Sequence, residues 1–210
     1  MADIKWLFFD MGSTLIDETQ GSIGWFRSAS DAVCGALSAE EIEKEYCAGM
    51  VNGNPSIAEH LKPYGFTGNS TTHLYPSELD KPYPETEEVL KQLSKKYKLG
   101  VIANQAPGSK ERLASYRLSQ YFHIIIASAE VGFAKPNPRI FELALKEANC
   151  KPNQAAMIGD RPDNDIFPAK ALGLATVRIL QGYAKLQEPK TPSYQADFTI
   201  SSLSDLLNIF

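Results

Sequence analysis

Several polar residues stand where short apolar runs end. Asp10 follows IKWLFF, Asn104 follows KLGVIA, and Asp160 follows AAMIG, while Lys135 lies in the loop after the run that ends at Ala127. Two carboxylates from different strands can hold Mg2+, which takes oxygen ligands and keeps open positions for water and a phosphate. A lysine beside them adds positive charge. An aspartate so placed can attack phosphorus, because the metal and the ammonium neutralise the repulsion between two anions.

The elements that must position these residues are readable. Residues 4–9, Lys98–Ala103, residues 124–127, residues 155–158 and Ala175–Ile179 are nearly continuous apolar runs of four to six residues. Runs of that kind suit parallel strands covered on both faces. Helical patterns separate them. Residues 85–97 place Val89, Leu90, Leu93 and Tyr97 on one stripe. Asn137 and Pro138 form a cap and first-turn pair, with Ile140, Phe141, Ala144, Leu145 and Ala148 as the apolar face behind them. A shorter helix is predicted over residues 165–172 with Gly173 as its stop. Phe198–Ile200 then reads as a last strand and residues 204–209 as a last helix. Alternating strands and helices predict an α/β fold, a Rossmann-like parallel sheet with right-handed crossovers. Ligands of such sheets bind beyond the carboxyl ends of the strands, where the polar residues fall.

About eighty residues separate the first two strands, too many for one crossover. Residues 25–37 and 39–50 look helical, and residues 52–72 look like loops with a helical piece near residues 57–61. Lys81-Pro82-Tyr83-Pro84 is a stiff return. The expected organisation is a core of residues 1–17 and 81–210 and a small helical cap of residues 18–80 inserted after the first strand.

Composition narrows the partners. The 210 residues carry 21 Lys and Arg against 25 Asp and Glu, a net charge of −4. Proteins that hold nucleic acid through its phosphates usually show a basic excess, so no nucleic acid is expected. Cys34, Cys47 and Cys150 are widely spaced and make neither a disulfide framework nor a Cys-x-x-Cys pair. Such usage fits a reducing compartment. No run approaches the roughly 20 apolar residues of a membrane helix, and no secretion signal is visible. A cytoplasmic protein without a membrane partner is expected.

Asp10-Met11-Gly12-Ser13-Thr14-Leu15, Ala103-Asn104, Lys135-Pro136 and Gly159-Asp160-Arg161-Pro162-Asp163-Asn164-Asp165 together resemble the four ordered motifs of the haloacid dehalogenase-like (HAD) hydrolase superfamily. FAKPNPRIF and its spacing to MIGDRPDNDI resemble the subfamily with a helical cap after the first strand. The resemblance implies a Mg2+-dependent phosphatase acting on a small phosphorylated metabolite. Asp10 would be the nucleophile that forms an aspartyl phosphate. Asp10, the Gly12 carbonyl and Asp160 would hold Mg2+, with Asp165 bound to a metal water or just behind the ion. Lys135 would pair with Asp10 and the phosphoryl group. Ala103 and Asn104 occupy the substrate-binding motif, where the Asn104 backbone amide would meet the phosphoryl. The cap would exclude water and select the leaving group.

Two departures from the family pattern matter. Phosphatases of the superfamily carry a second aspartate two positions after the nucleophile, which protonates the leaving alkoxide and then activates water. Gly12 stands there. The second motif usually offers Ser or Thr to the phosphoryl oxygen, and Ala103 stands there. Loss of a general acid/base typically lowers a rate ~10²–10⁴-fold. Asp17, Glu18 and His60 are substitutes by residue type. One alternative is a non-catalytic relative that binds metal and a phosphorylated ligand or a protein partner. Another is a phosphonatase-like carbon–phosphorus hydrolase, which needs a cap lysine such as Lys62 or Lys44.

Overall fold

The computed structural model describes residues 3–53 and 55–210. Eight strands are present among them: β1 (Trp6–Phe9), β2 (Ile16–Asp17), β3 (Lys81–Pro82), β4 (Lys98–Ala103), β5 (Phe122–Ala127), β6 (Ala155–Gly159), β7 (Ala175–Ile179) and β8 (Phe198–Ile200). Six of them form one parallel sheet in the order β5-β4-β1-β6-β7-β8. The first strand is therefore central, flanked by β4 and β6. Asp10 and Asp160 leave the sheet from these neighbouring strands, whose pairing runs from Trp6 opposite Ala155 to Phe9 opposite Ile158.

Side-chain alternation explains the layering. Leu7 and Phe9 point into one apolar cluster with Val89, Leu90 and Leu93 of helix α4 (Thr86–Leu93). Trp6 and Phe8 point the other way, onto Ile140, Phe141, Ala144 and Leu145 of helix α7 (Pro138–Glu147), which follows the short α6 (Ser128–Val131). Both faces of β1 are dry, which is why its sequence shows no polar alternation. Truncating a ring such as Phe8, fully buried, costs about 3–5 kcal/mol in a core of this kind. Asn137 caps α7 as expected, accepting a hydrogen bond from the Arg139 backbone at 3.1 Å.

Between β2 and β3 the chain builds α1 (Thr19–Asp31), α2 (Ala39–Val51) and α3 (Ile57–Leu61). Phe26, Ala29, Val33, Leu37, Ile42, Ile57 and Leu61 form a separate apolar cluster there. The first of these helices starts and stops earlier than residues 25–37. A turn with positive φ at Cys34 and Gly35 ends it, and Ser30 Oγ donates to the Leu37 carbonyl across that turn. Ser38 and Glu41 close a reciprocal capping box at the start of α2.

The stiff return at Lys81-Pro82 is itself β3. It pairs antiparallel with β2, Asp17 opposite Lys81 and Ile16 opposite Pro82. Asp80, just before it, is buried and anchored to α5 (Ser109–Ser115). Arg112 meets its Oδ2 at 2.6 Å, Tyr75 OH donates to its Oδ1 at 2.8 Å, and Tyr116 OH donates to its carbonyl at 2.9 Å.

Two predicted helices take other forms. In place of a helix over residues 204–209 there is a 3-10 helix, Leu203–Asn208. Residues 165–172 split into a wide turn, Pro162–Ile166, and a short α8 (Phe167–Ala171), because the Ile166 backbone N–H reaches back five residues to the Arg161 carbonyl. Gly173 with φ +90° stops α8 as expected. No helix is long and apolar enough to cross a membrane among the described residues.

Candidate active site

A cavity of about 210 Å3 opens at the carboxyl ends of β1, β4 and β6. Asp10, Gly12, Asn104, Lys135, Asp160 and Asp165 all line it. Tyr46 and Met50 of α2 and Ser22 of α1 line it from the helical segment.

Lys135 is the hub. Its Nζ donates to Asp10 Oδ1 at 2.6 Å and to Asp165 Oδ1 at 2.5 Å. One oxygen of each of Asp10, Asp160 and Asp165 lies within 4.8 Å of the other two. Three carboxylates around one ammonium leave two negative charges without a partner, and Asp160 and Asp165 are buried. The energetics follow from that imbalance. Burial and the charges of Asp10 and Asp165 push the Asp160 carboxyl well above its ordinary value. Burial pushes Asp165 up to about 6, with Lys135 pulling the other way. Burial alone would lower Lys135, but Asp10 and Asp165 more than offset it and keep the ammonium charged. Hard oxygen donors carrying two excess negative charges fit a divalent cation of the Mg2+ type. Asp165 is the least available donor, because its second oxygen accepts the Arg161 backbone N–H at 3.0 Å.

The Asn104 side chain has a task of its own, besides the one expected of the residue's backbone amide. Its amide donates to the Lys135 carbonyl and its Oδ1 accepts the Lys135 backbone N–H, both at 2.8 Å. The side chain thus clamps the lysine loop. Ala103 is withdrawn from the site: it is fully buried in the cluster under α4 and does not line the cavity. Asn104 and Gln105 line it instead.

Of the three substitutes named by type, one reaches the site. Asp17 accepts the Thr19 backbone N–H at 2.9 Å and does not line the cavity. His60 packs on Tyr64, away from it. The Glu18 carboxyl does line it. A Cβ built on Gly12 would stand 2.5 Å from Glu18 Oε1 and 2.6 Å from Oε2. Burial, reinforced by the negative charges of Asp80 and Asp10, raises Glu18 to about 7. Lys62 pairs with Glu59 at 2.6 Å and Lys44 is exposed; Lys135 is the one lysine among the described residues that line the cavity. The phosphonatase-like alternative therefore lacks its cap lysine.

The loop after β1 has its own strain. Ser13 takes φ +51°, a left-handed conformation that costs an L-residue roughly 1–2 kcal/mol. Gly182 backs it closely, since a Cβ there would stand 2.5 Å from Ser13 Oγ. Arg178 is a further support. Buried in β7, it donates to the backbone carbonyls of Asp160, Ala184 and Gln187 at 3.3, 3.0 and 2.6 Å. An arginine inside the strand ATVRI is the signal that could have marked it.

The parallel sheet is an α/β core whose carboxylates and one lysine converge beyond the carboxyl ends of its strands. The family model for haloacid dehalogenase-like hydrolase matches residues 4–173, and the chain belongs to that family. A glyceraldehyde 3-phosphate phosphatase of Methanocaldococcus jannaschii is 38% identical over 68% of this chain and 62% of its own length. The chain spans 56–65% of the length of three archaeal relatives of that name. Another, from Pyrococcus furiosus, is 36% identical over all of this chain and 94% of its own length. The fold matches that of YfnB from Bacillus subtilis, solved bound to magnesium, with a TM-score of 0.77 at 19% identity, covering 99% of this chain and 98% of the other.

Proposed function

We propose that this protein is a Mg2+-dependent phosphatase that acts on a small phosphorylated metabolite through an aspartyl phosphate on Asp10. The observation that carries this reading is the Lys135 ammonium held between Asp10 and Asp165, with Asp160 alongside, at the mouth of the sheet. Asp10, Asp160 and the Gly12 carbonyl would hold the ion, with Asp165 behind them fixing Lys135. The bound cation would offset the charge of the incoming phosphate and of the attacking carboxylate. Lys135 engages only Oδ1 of Asp10, which leaves the second carboxylate oxygen free of the lysine. Residues 18–80 act as the cap, and their Ser22, Tyr46 and Met50 face the leaving group. A cavity of about 210 Å3 suits a small ester, in keeping with relatives named for glyceraldehyde 3-phosphate and phosphoserine.

A panel of small phosphate esters assayed with Mg2+ tests the reading. Turnover should vanish with chelator and with Asp10→Asn. Turnover that survives Asp10→Asn overturns it. A second reading, metal and phosphate binding without turnover, draws on the withdrawal of Ala103 from the cavity. Tight binding of phosphate with an empty panel would favour it.

A further inference from the structure

Expulsion of an alkoxide from a phosphate ester needs a proton, and the cavity offers few groups able to give one. Lys135 is held by two carboxylates. Asp165 has both oxygens engaged, and Asp10 and Asp160 belong to the charge cluster itself. Tyr183 OH already donates to Glu43 at 2.6 Å. Glu18 stands apart from these. Its carboxyl faces the cavity, meets no cation, and accepts one long hydrogen bond, from Ser13 Oγ at 3.4 Å. It lies over Gly12, in the volume that a side chain two positions after Asp10 would take.

The chain path explains how it arrives there. Ile16 N–H bonds back to the Met11 carbonyl and Ser13 N–H to the Ile16 carbonyl, folding residue 16 onto the loop after β1; β2 then pairs with β3, and Glu18 is the residue from which α1 starts. The small residue at 12 and the carboxyl at 18 are complementary in space: the Glu18 carboxyl occupies the volume that a side chain at 12 would enter, and a larger residue there would push it aside.

We propose that Glu18 is the proton-transfer residue of this enzyme, its carboxyl reaching from the start of α1 into the place left open by Gly12. This rests on the phosphatase reading above. In the first half-reaction an Asp10 oxygen bonds to phosphorus and the phosphorus–oxygen bond to the leaving group breaks. The leaving oxygen takes the Glu18 proton and departs as an alcohol. In the second half-reaction the Glu18 carboxylate takes a proton from water as that oxygen bonds to phosphorus. The bond between phosphorus and Asp10 breaks, releasing phosphate and restoring both carboxyl groups.

Glu18→Gln keeps the shape and removes the proton transfer. An alkyl phosphate and p-nitrophenyl phosphate, whose leaving group needs no proton, are the probes. Turnover of the alkyl ester should fall ~10²–10⁴-fold. The aryl ester should still give a first burst of nitrophenolate and then stall, with one phosphoryl group on the protein by mass spectrometry. Gly12→Asp combined with Glu18→Ala should recover much of the alkyl-ester rate, because it returns a carboxyl to the same volume. Alkyl-ester turnover within a few-fold of the parent overturns the assignment. So does an equal loss on both esters without a trapped phosphoprotein. Either result leaves the phosphatase reading standing while the parent turns over both esters and Asp10→Asn neither; a parent inert toward both overturns the two together.

Discussion

Asn104 and Lys135 are joined by two 2.8 Å hydrogen bonds that run in opposite directions between one side-chain amide and one backbone unit. The pair fixes the lysine from its own main chain while the Nζ fixes Asp10 and Asp165. Leaving a buried polar group unpaired costs about 1–3 kcal/mol. Asn104→Ala strands the Lys135 N–H and carbonyl together. The variant should melt several degrees lower and lose more in kcat than in KM, as a displaced lysine would. Equal melting curves for variant and parent would remove the clamp.

Replacing Lys135 by Met leaves a cluster of carboxylates with no cation. Breaking a buried ion pair from one side costs about 3–5 kcal/mol. The sign with pH follows from the shifts already present. Lys135 pulls Asp160 and Asp165 downward, so its loss raises both further. Groups raised in the folded state favour folding while protonated and lose that contribution as pH rises. Lys135→Met should therefore be closest to the parent near pH 5 and furthest below it near pH 8. Urea melts at the two pH values decide this, and a pH-independent deficit counts against it.

Glu18 gives the opposite result for stability. Its carboxyl is raised from the ordinary value to about 7, chiefly by burial. Between the ordinary glutamate range and pH 7 the folded, metal-free protein binds this proton more tightly than the unfolded chain does. Its stabilising contribution is full below that window and is lost as pH rises through it. Gln carries no such charge. Metal-free Glu18→Gln should melt a few degrees above the parent at pH 8 and level with it near pH 4.5. A lower melting point at pH 8 would show that the carboxylate is well solvated.

These two variants also mark how far the sequence reaches. Lys98–Ala103, Ala175–Ile179 and Phe198–Ile200 are strands with the expected bounds, because unbroken apolar runs with turn residues at their ends have few other uses in a buried sheet. Asp10, Asn104 and Asp160 were legible for the same reason, with Lys135 in the loop after the third run: strand ends in a parallel sheet converge. Asp165, in the wide turn after β6, was named only through the family resemblance. Glu18 was legible only as a residue type. Its position follows from the tight loop that folds Ile16 back onto Met11 and Ser13 together with Asp17 pairing to Lys81, more than sixty residues away, and a residue-type reading encodes neither. The hold of the Asn104 side chain on the lysine loop was not legible either, because residue 135 comes within its reach only in the fold, again a non-local fact. The 3-10 form of Leu203–Asn208 and the wide turn at Pro162–Ile166 were missed because a helical apolar stripe does not distinguish turns of different pitch.

Uptake of the cation is measurable without substrate. Asp10 and Asp160 meet at the ends of paired strands, and two negative charges of their cluster lack a partner. A ligand that binds only the folded state adds about 2.7 kcal/mol at a concentration one hundred times its Kd. Mg2+ should therefore raise the melting temperature of the parent by several degrees. The ion competes with protons for carboxylates, and Asp160 holds its proton unusually well. The Mg2+ shift should accordingly grow from pH 6 to pH 8. Asp160→Asn should fold, since it relieves repulsion within the cluster, and should show almost no Mg2+ shift at either pH. An undiminished shift in that variant would move the ion away from Asp160 and take the proposed role of Asp10 with it.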